Sequence, residues 1–175
     1  MKDFYYNPHD SLGFLANAAS RLLNKHLTRE FEAIGLNVTA EQWNVLVQLW
    51  ICDGRNQLEI AEALMLEKSS VSRLVDGLEK KHLVVRQKGA DARNNYICLT
   101  EYGRMMRDQS VEIGRALLDS VQAGIDEKEL AVARRVLIEI CRCLCPEKKA
   151  VSRTGSSHEN NVYGKSGEVC RSLVL

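Results

Sequence analysis

The chain has 175 residues, with 24 Lys+Arg against 23 Asp+Glu and a formal charge of +1, so its bulk charge marks neither a nucleic-acid binder nor an acidic solvating tail. At 45% hydrophobic and 27% charged it has the composition of a globular protein with a core of its own. No apolar run approaches the roughly 18 residues of a membrane helix, and the start Met1-Lys2-Asp3-Phe4-Tyr5-Tyr6 lacks the apolar stretch of a signal peptide. The expectation is a cytoplasmic chain with no membrane partner, whose Cys52, Cys98, Cys141, Cys143, Cys145 and Cys170 are reduced thiols.

From Leu12 to Ile34 apolar residues recur at spacings of three and four (Leu12, Leu15, Ala19, Leu22, Leu23, Leu27, Phe31), which predicts a long amphipathic helix. Thr39-Ala40-Glu41-Gln42 has the T-x-x-Q form of a capping box, with Val38 and Trp43 in hydrophobic-staple positions, so a second helix starts near residue 40. It ends at Asp53-Gly54, where glycine can turn left-handed. Asn56-Gln57-Leu58-Glu59 repeats the capping logic and opens a short third helix through Ile60, Ala61 and Leu64.

After a turn at Met65 to Glu67, Val71, Leu74, Val75 and Leu78 set the stripe of a fourth helix. The period then changes. Leu83 to Gln87 and Tyr96 to Leu99 are short β-rich runs around a polar tip, a predicted hairpin. Thr100 caps a fifth helix with the stripe Met106, Ile113, Leu117 and Val121, ending near Gly124. Asp126 and Glu129 open a sixth, with Leu130, Ala133, Leu137, Ile140 and Leu144 on one face and Pro146 as its stop. Residues 147–175 are rich in Ser, Gly, Asn and Lys without a period, and disorder is expected there.

Two short helices a turn apart, followed by a hairpin, have the order of a winged helix-turn-helix. The fold class expected is mainly α with a small β-hairpin wing. An N-terminal dimerisation helix (1–35) and C-terminal dimerisation helices (101–146) flank a DNA-binding domain (36–100), with the tail (147–175) beyond. Between Lys68 and Arg93 there are seven basic residues against three acidic, a local net of +4 that the whole-chain total conceals. On the fourth helix, Ser69, Ser72, Arg73 and Asp76 lie opposite the apolar stripe, short enough or forked enough to reach base edges. Lys68 and Ser70 stand at its start, where phosphates are favoured. Lys88 and Arg93 flank the hairpin tip and are placed to follow the backbone or enter a minor groove, with Asp91 orienting Arg93 or Arg73.

The text Leu36-x-x-Thr39-x-Glu41-Gln42-Trp43, then Ser69-Ser70-Val71-Ser72-Arg73-Leu74-Val75-Asp76-x-Leu78-Glu79-Lys80-Lys81, then Asp91-x-Arg93 and Leu99-Thr100, resembles the MarR-type transcription regulators over about residues 10 to 145. The resemblance implies a homodimer on a pseudo-palindromic operator, usually a repressor relieved by small phenolic ligands, metals or thiol oxidants. Two positions depart from the pattern: His82 stands where the family usually has Gly, and Lys88 where it has the first wing Asp. Histidine is among the non-glycine residues found at positive φ, so the first departure is tolerable. A family-like inducer pocket between dimer helices and DNA module would be lined by His26, Trp43 and Trp50, although the first role expected of the two Trp is core packing.

Dimerisation also follows from the residues, since the central module is too small to cover three long apolar stripes. A twofold would set the recognition helices about 34 Å apart; the alternative is a monomeric bundle. Cys141-x-Cys143-x-Cys145 cannot converge on one metal, because helical neighbours two apart point about 200° from each other, and Cys141 is expected in the dimer stripe. Cys52 is a candidate redox trigger, although the reading favoured for it is a buried small hydrophobe. His9, His26, His82 and His158 form no zinc pattern, and no G-x-S-x-G, P-loop or dinucleotide fingerprint occurs. Neither enzyme activity, cofactor nor metal is expected. Two functions stay open: a repressor whose partners are double-stranded DNA, its own second copy and a small-molecule inducer, and a winged-helix module for protein contact without specific DNA binding.

Overall fold

The computed structural model describes residues 7–88 and 95–144. A single 3₁₀ turn, Pro8–Asp10, precedes α1 (Leu12–Ala33), whose N-terminus is capped by Ser11. α2 (Ala40–Ile51) opens on the expected capping box: Thr39 accepts from the Gln42 amide, and Gln42 accepts in return from the Thr39 amide. α3 (Gln57–Leu64) opens on the second box, in which Asn56 accepts from the Leu58 and Glu59 amides while Glu59 accepts from Asn56. α4 (Lys68–Lys80) follows, and the hairpin is β2 (Val84–Lys88) against β3 (Asn95–Leu99), in register from Val84↔Leu99 to Lys88↔Asn95.

Three features extend the sequence reading. Arg55–Asn56 forms β1, which pairs antiparallel with β3 (Arg55↔Ile97), so the sheet has three strands in the order β1-β3-β2. The expected fifth helix is interrupted at Met106 into α5 (Glu101–Met105) and α6 (Arg107–Gln122), although the Met106 amide still reaches the Tyr102 carbonyl (3.1 Å) and the Ser110 amide reaches that of Met106 (3.1 Å). The interruption falls where the half-buried Met106 packs on the core. The turn between α3 and α4 places Met65, a residue without special tolerance, at φ 53°.

α1 to α6, up to Ser120, belong to one compact unit, and α7 (Glu127–Leu144) to a second that begins at Val121. The core of the first unit gathers Phe31 from the end of α1, Leu36 and Val38, Val45, Leu46 and Leu49 of α2, Ile60 of α3, Val71, Val75 and Leu78 of α4, and Leu83, Val84, Ile97 and Leu99 around the sheet. α7 by itself buries none of its side chains and leaves Val132, Val136, Leu137, Ile140 and Leu144 exposed along its apolar face. Among the described residues no helix is long and apolar enough to cross a membrane.

α1, α3 and α4 end with the same device, a residue in the left-handed region followed by an apolar one. The amides of Leu36, Leu66 and Leu83 reach back to the carbonyls of Phe31, Ala61 and Leu78, at 2.9, 2.9 and 3.0 Å. The left-handed residues are Gly35, Met65 and His82, the last at φ 58° as its place in the motif requires. Leu83 thereby enters the core beside Leu78 and starts the wing. Two substitutions test this geometry by urea denaturation. His82→Gly removes the left-handed penalty and is expected to raise stability by about 1 kcal/mol. Gly103→Ala would set a Cβ 2.1 Å from the Leu83 carbonyl oxygen, a backbone atom, and is expected to cost about 1–3 kcal/mol.

Candidate nucleic-acid interface

The amphipathic split of α4 decides which of its side chains are available. Val71, Val75 and Leu78 are fully buried, which turns Lys68, Ser69, Arg73 and Asp76 outward as exposed residues and leaves Ser70 and Ser72 half-buried at the edge. No side chain caps the N-terminus of α4, because Glu67 at that position makes no capping hydrogen bond. The positive end of the helix thus coincides with Lys68 and two serines, an arrangement that favours an anion. Lys88, at the outer end of β2, is exposed as expected. Arg93 and Asp91, and with them the proposed orientation of the wing tip, lie outside the described residues, as do Cys145 and the tail from 147.

The sequence counted Arg86 among the free cations of the patch, and the structure corrects this. Its guanidinium bridges the carboxylates of Asp76 and Glu79 on α4 and lies 3.4 Å from the Ser72 carbonyl, while its backbone amide donates to Glu79 at 3.1 Å. One cation between two carboxylates makes a local cluster of net −1, and Lys68, Arg73 and Lys88 stay exposed. Arg86 is therefore a strap between wing and helix. Asp76, read from the sequence as part of the base-facing surface, is one of its anchors.

A second polar hub fixes the wing's other edge. Asp53 accepts from the amides of Gly54 (2.9 Å) and Leu99 (2.8 Å) and pairs with Arg104 (2.7 Å), tying the end of α2 to β3 and α5. Beside it, burial first and the Asp53 charge second push the Cys98 thiol above its usual range, against a smaller opposing pull from Arg104. Cys52 is exposed, which corrects the buried reading favoured for it from the sequence. Cys141 and Cys143 are exposed on α7, and among the described residues no group of three or more metal-ligating side chains is assembled.

Trp43 and Trp50 do come together, edge to face with centroids 6.4 Å apart, and Phe31 stacks obliquely on Trp43 at 5.7 Å. The Trp50 indole donates to the Gly103 carbonyl at 3.0 Å, whereas the buried Trp43 indole nitrogen has no acceptor among the described residues. His26 is exposed on α1, and among the described residues no ring pairing joins it to either Trp. Sequence reasoning missed Arg86, Asp53 and the orphaned Trp43 donor. Their partners are set by tertiary packing, and only Glu79 at seven residues and Asp76 at ten hint at the Arg86 strap.

A helix-turn-helix whose second helix is exposed along one polar face, strapped to an adjoining antiparallel wing, defines the chain as a winged helix-turn-helix protein. Residues 38–94 match the MarR family model, and the chain belongs to that family of transcriptional regulators. It is 33% identical over 97 residues to the HTH-type transcriptional regulator YwoH of Bacillus subtilis, covering 55% of this chain and 68% of that protein. To the organic hydroperoxide resistance transcriptional regulator of the same organism it is 29% identical over 134 residues, covering 74% and 88% respectively. The structure of CouR from Rhodococcus jostii RHA1 bound to p-coumaroyl-CoA superposes with a TM-score of 0.67 at 28% identity, over 82% of this chain and all of that one. A CouR structure on a 23-mer DNA duplex shares the fold at a TM-score of 0.68 and 24% identity, over 77% and 94%.

Removing Arg86 leaves two carboxylates uncompensated on the face that would meet phosphates. Arg86→Ala is expected to weaken duplex binding by about tenfold regardless of sequence, read by fluorescence anisotropy with far-ultraviolet dichroism as the check on folding.

Proposed function

We propose that the chain is a homodimeric repressor that binds a pseudo-palindromic operator in the cytoplasm and is released by a small ligand or an oxidant. The observation that carries the DNA reading is the uncapped N-terminal end of α4, with Lys68, Ser69 and Arg73 outward while the apolar side of the same helix is fully buried. In this reading Arg73 reads a base, Ser69 and Ser72 approach base edges, Lys68 and Ser70 hold phosphates at the helix start, and Lys88 with Arg93 follows the backbone along the wing. Asp91 orients the wing arginine.

The apolar faces left exposed on one copy support a dimer. α1 carries Leu12, Leu15 and Leu22 outward, and α7 carries Val132, Val136, Leu137 and Ile140. The inducer reading rests on the Trp43 indole, whose buried N–H has no acceptor among the described residues, with Trp50 and His26 as further lining. CouR, solved with p-coumaroyl-CoA, is a relative of this fold that takes an organic ligand. Cys52, exposed at the end of α2, is the thiol open to an oxidant.

Selection from random duplex is expected to return an inverted repeat whose half-sites lie one helical turn apart. Arg73→Ala should relax the preference at one base pair of each half-site by about 1–3 kcal/mol. Lys88→Ala should weaken all duplexes alike and lower the salt slope by about one. No preference for any duplex, and no response to either substitution, would leave the fold as a protein-contact module.

A further inference from the structure

Arg21, Lys25 and Arg29 fall at i, i+4 and i+8 on α1, so three cations line one side of the helix over about 12 Å of its axis. They form one wall of a surface groove of about 420 Å³, a volume in the range of small-ligand sites, whose other wall is Thr39 and Glu41 at the start of α2. Among the described residues none of the three cations has an ion-pair partner. Every residue lining the groove carries a polar or charged group on its side chain, and none is an aromatic or aliphatic residue of the kind that lines pockets for phenols. The two carboxylates present, Glu32 and Glu41, are acceptors for hydroxyl groups, which a bare inorganic anion does not supply.

The groove is one side chain away from the recognition helix. Thr28 accepts from the Ala40 amide at 3.1 Å, Thr39 closes the capping box with Gln42, and the Gln42 oxygen accepts from the Lys81 ammonium at 2.7 Å, just past the end of α4. Gly77 of α4 faces the same glutamine so closely that a Cβ there would lie 2.2 Å from its amide nitrogen. Burial also holds the Lys81 ammonium below its usual range.

We propose that this groove is a regulatory site for a small phosphorylated metabolite that carries free hydroxyl groups, of the sugar-phosphate or nucleotide class, and that Gln42 transmits its occupancy to α4. The cation wall takes the phosphate, the carboxylates take the hydroxyls, and a ligand that shifts the Thr39–Gln42 cap shifts the end of the helix that reads DNA. Only the transmission to DNA rests on the repressor reading.

The test titrates ribose 5-phosphate and ADP into the full chain by calorimetry, without DNA. At least one of the two should saturate, and the tighter one assigns the class. The triple substitution R21Q/K25Q/R29Q should weaken it at least tenfold, with K25Q alone as the partial-loss variant should the triple fail to fold, whereas R73A/K88A should bind it as the unsubstituted chain does. Absence of saturation with both probes, binding that survives loss of the cations, or binding lost in R73A/K88A would overturn the site. In a second arm, a saturating probe should change duplex affinity at least threefold in the unsubstituted chain and leave it unchanged in Lys81→Met; an equal change in both would overturn the role of Gln42. A chain that binds no duplex at all would fail the repressor reading while leaving the calorimetric result intact.

Discussion

The placement of Arg86 between Asp76 and Glu79 is the interaction on which the proposed DNA-binding surface depends. A two-stranded ribbon is marginal by itself in water, and a wing that moved independently of α4 could not present its cations in a fixed relation to those of the helix. Here one guanidinium, three-quarters removed from solvent, ties the first wing strand to the exposed edge of the recognition helix, and the Arg86 amide adds a backbone bond to the same Glu79. The strap is only partly buried, and its partners are more exposed still, so its contribution lies in geometry rather than in stability. It also sorts the charges of the patch, with one cation spent on two acids of the same face and Lys68, Arg73 and Lys88 left exposed beside them.

The rest of the first unit is arranged to hold α4 and the wing at that strap. The Schellman turn at His82 ends α4 and delivers Leu83 into the core in the same step, so that β2 begins in register with Leu99. On the far edge, β1 and the Asp53 hub fix β3 to the end of α2 and to α5. Gly103 lets α5 approach the Leu83 carbonyl, and the Trp50 indole bonds to the Gly103 carbonyl on its other side. These contacts are short and directional, and they join α2, α4 and α5 to the sheet and to one another. Between them they convert a hydrophobic core, which specifies proximity, into a defined relative orientation.

What the sequence made legible was local. Both capping boxes formed as their spacing requires, because the pairing groups lie three residues apart on one turn. The stripe Val71, Val75, Leu78 was buried as its period requires, and the histidine in a glycine position took the left-handed conformation. The features missed depend on tertiary approach. Two residues, Arg55 and Asn56, are too few to carry a strand pattern, and they pair only because the core brings β3 beside them. Arg86 reads as a free cation until Asp76, ten residues away and on another element, is folded against it. The exposure of Cys52 follows from its place just past the last turn of α2, where the helix face that would bury it has ended. The bare indole nitrogen of Trp43 has no sequence signature at all.

If the strap acts by aligning wing and helix and by neutralising two acids, its members must be coupled in DNA binding. A thermodynamic cycle on operator affinity, comparing Arg86→Ala, the pair Asp76→Ala with Glu79→Ala, and all three together, measures that coupling directly. The triple variant is expected to bind more tightly than Arg86→Ala alone, since removing the stranded carboxylates relieves their repulsion of the phosphates. Losses that add without coupling would show that Arg86 is an ordinary surface cation and that the wing is positioned by other means.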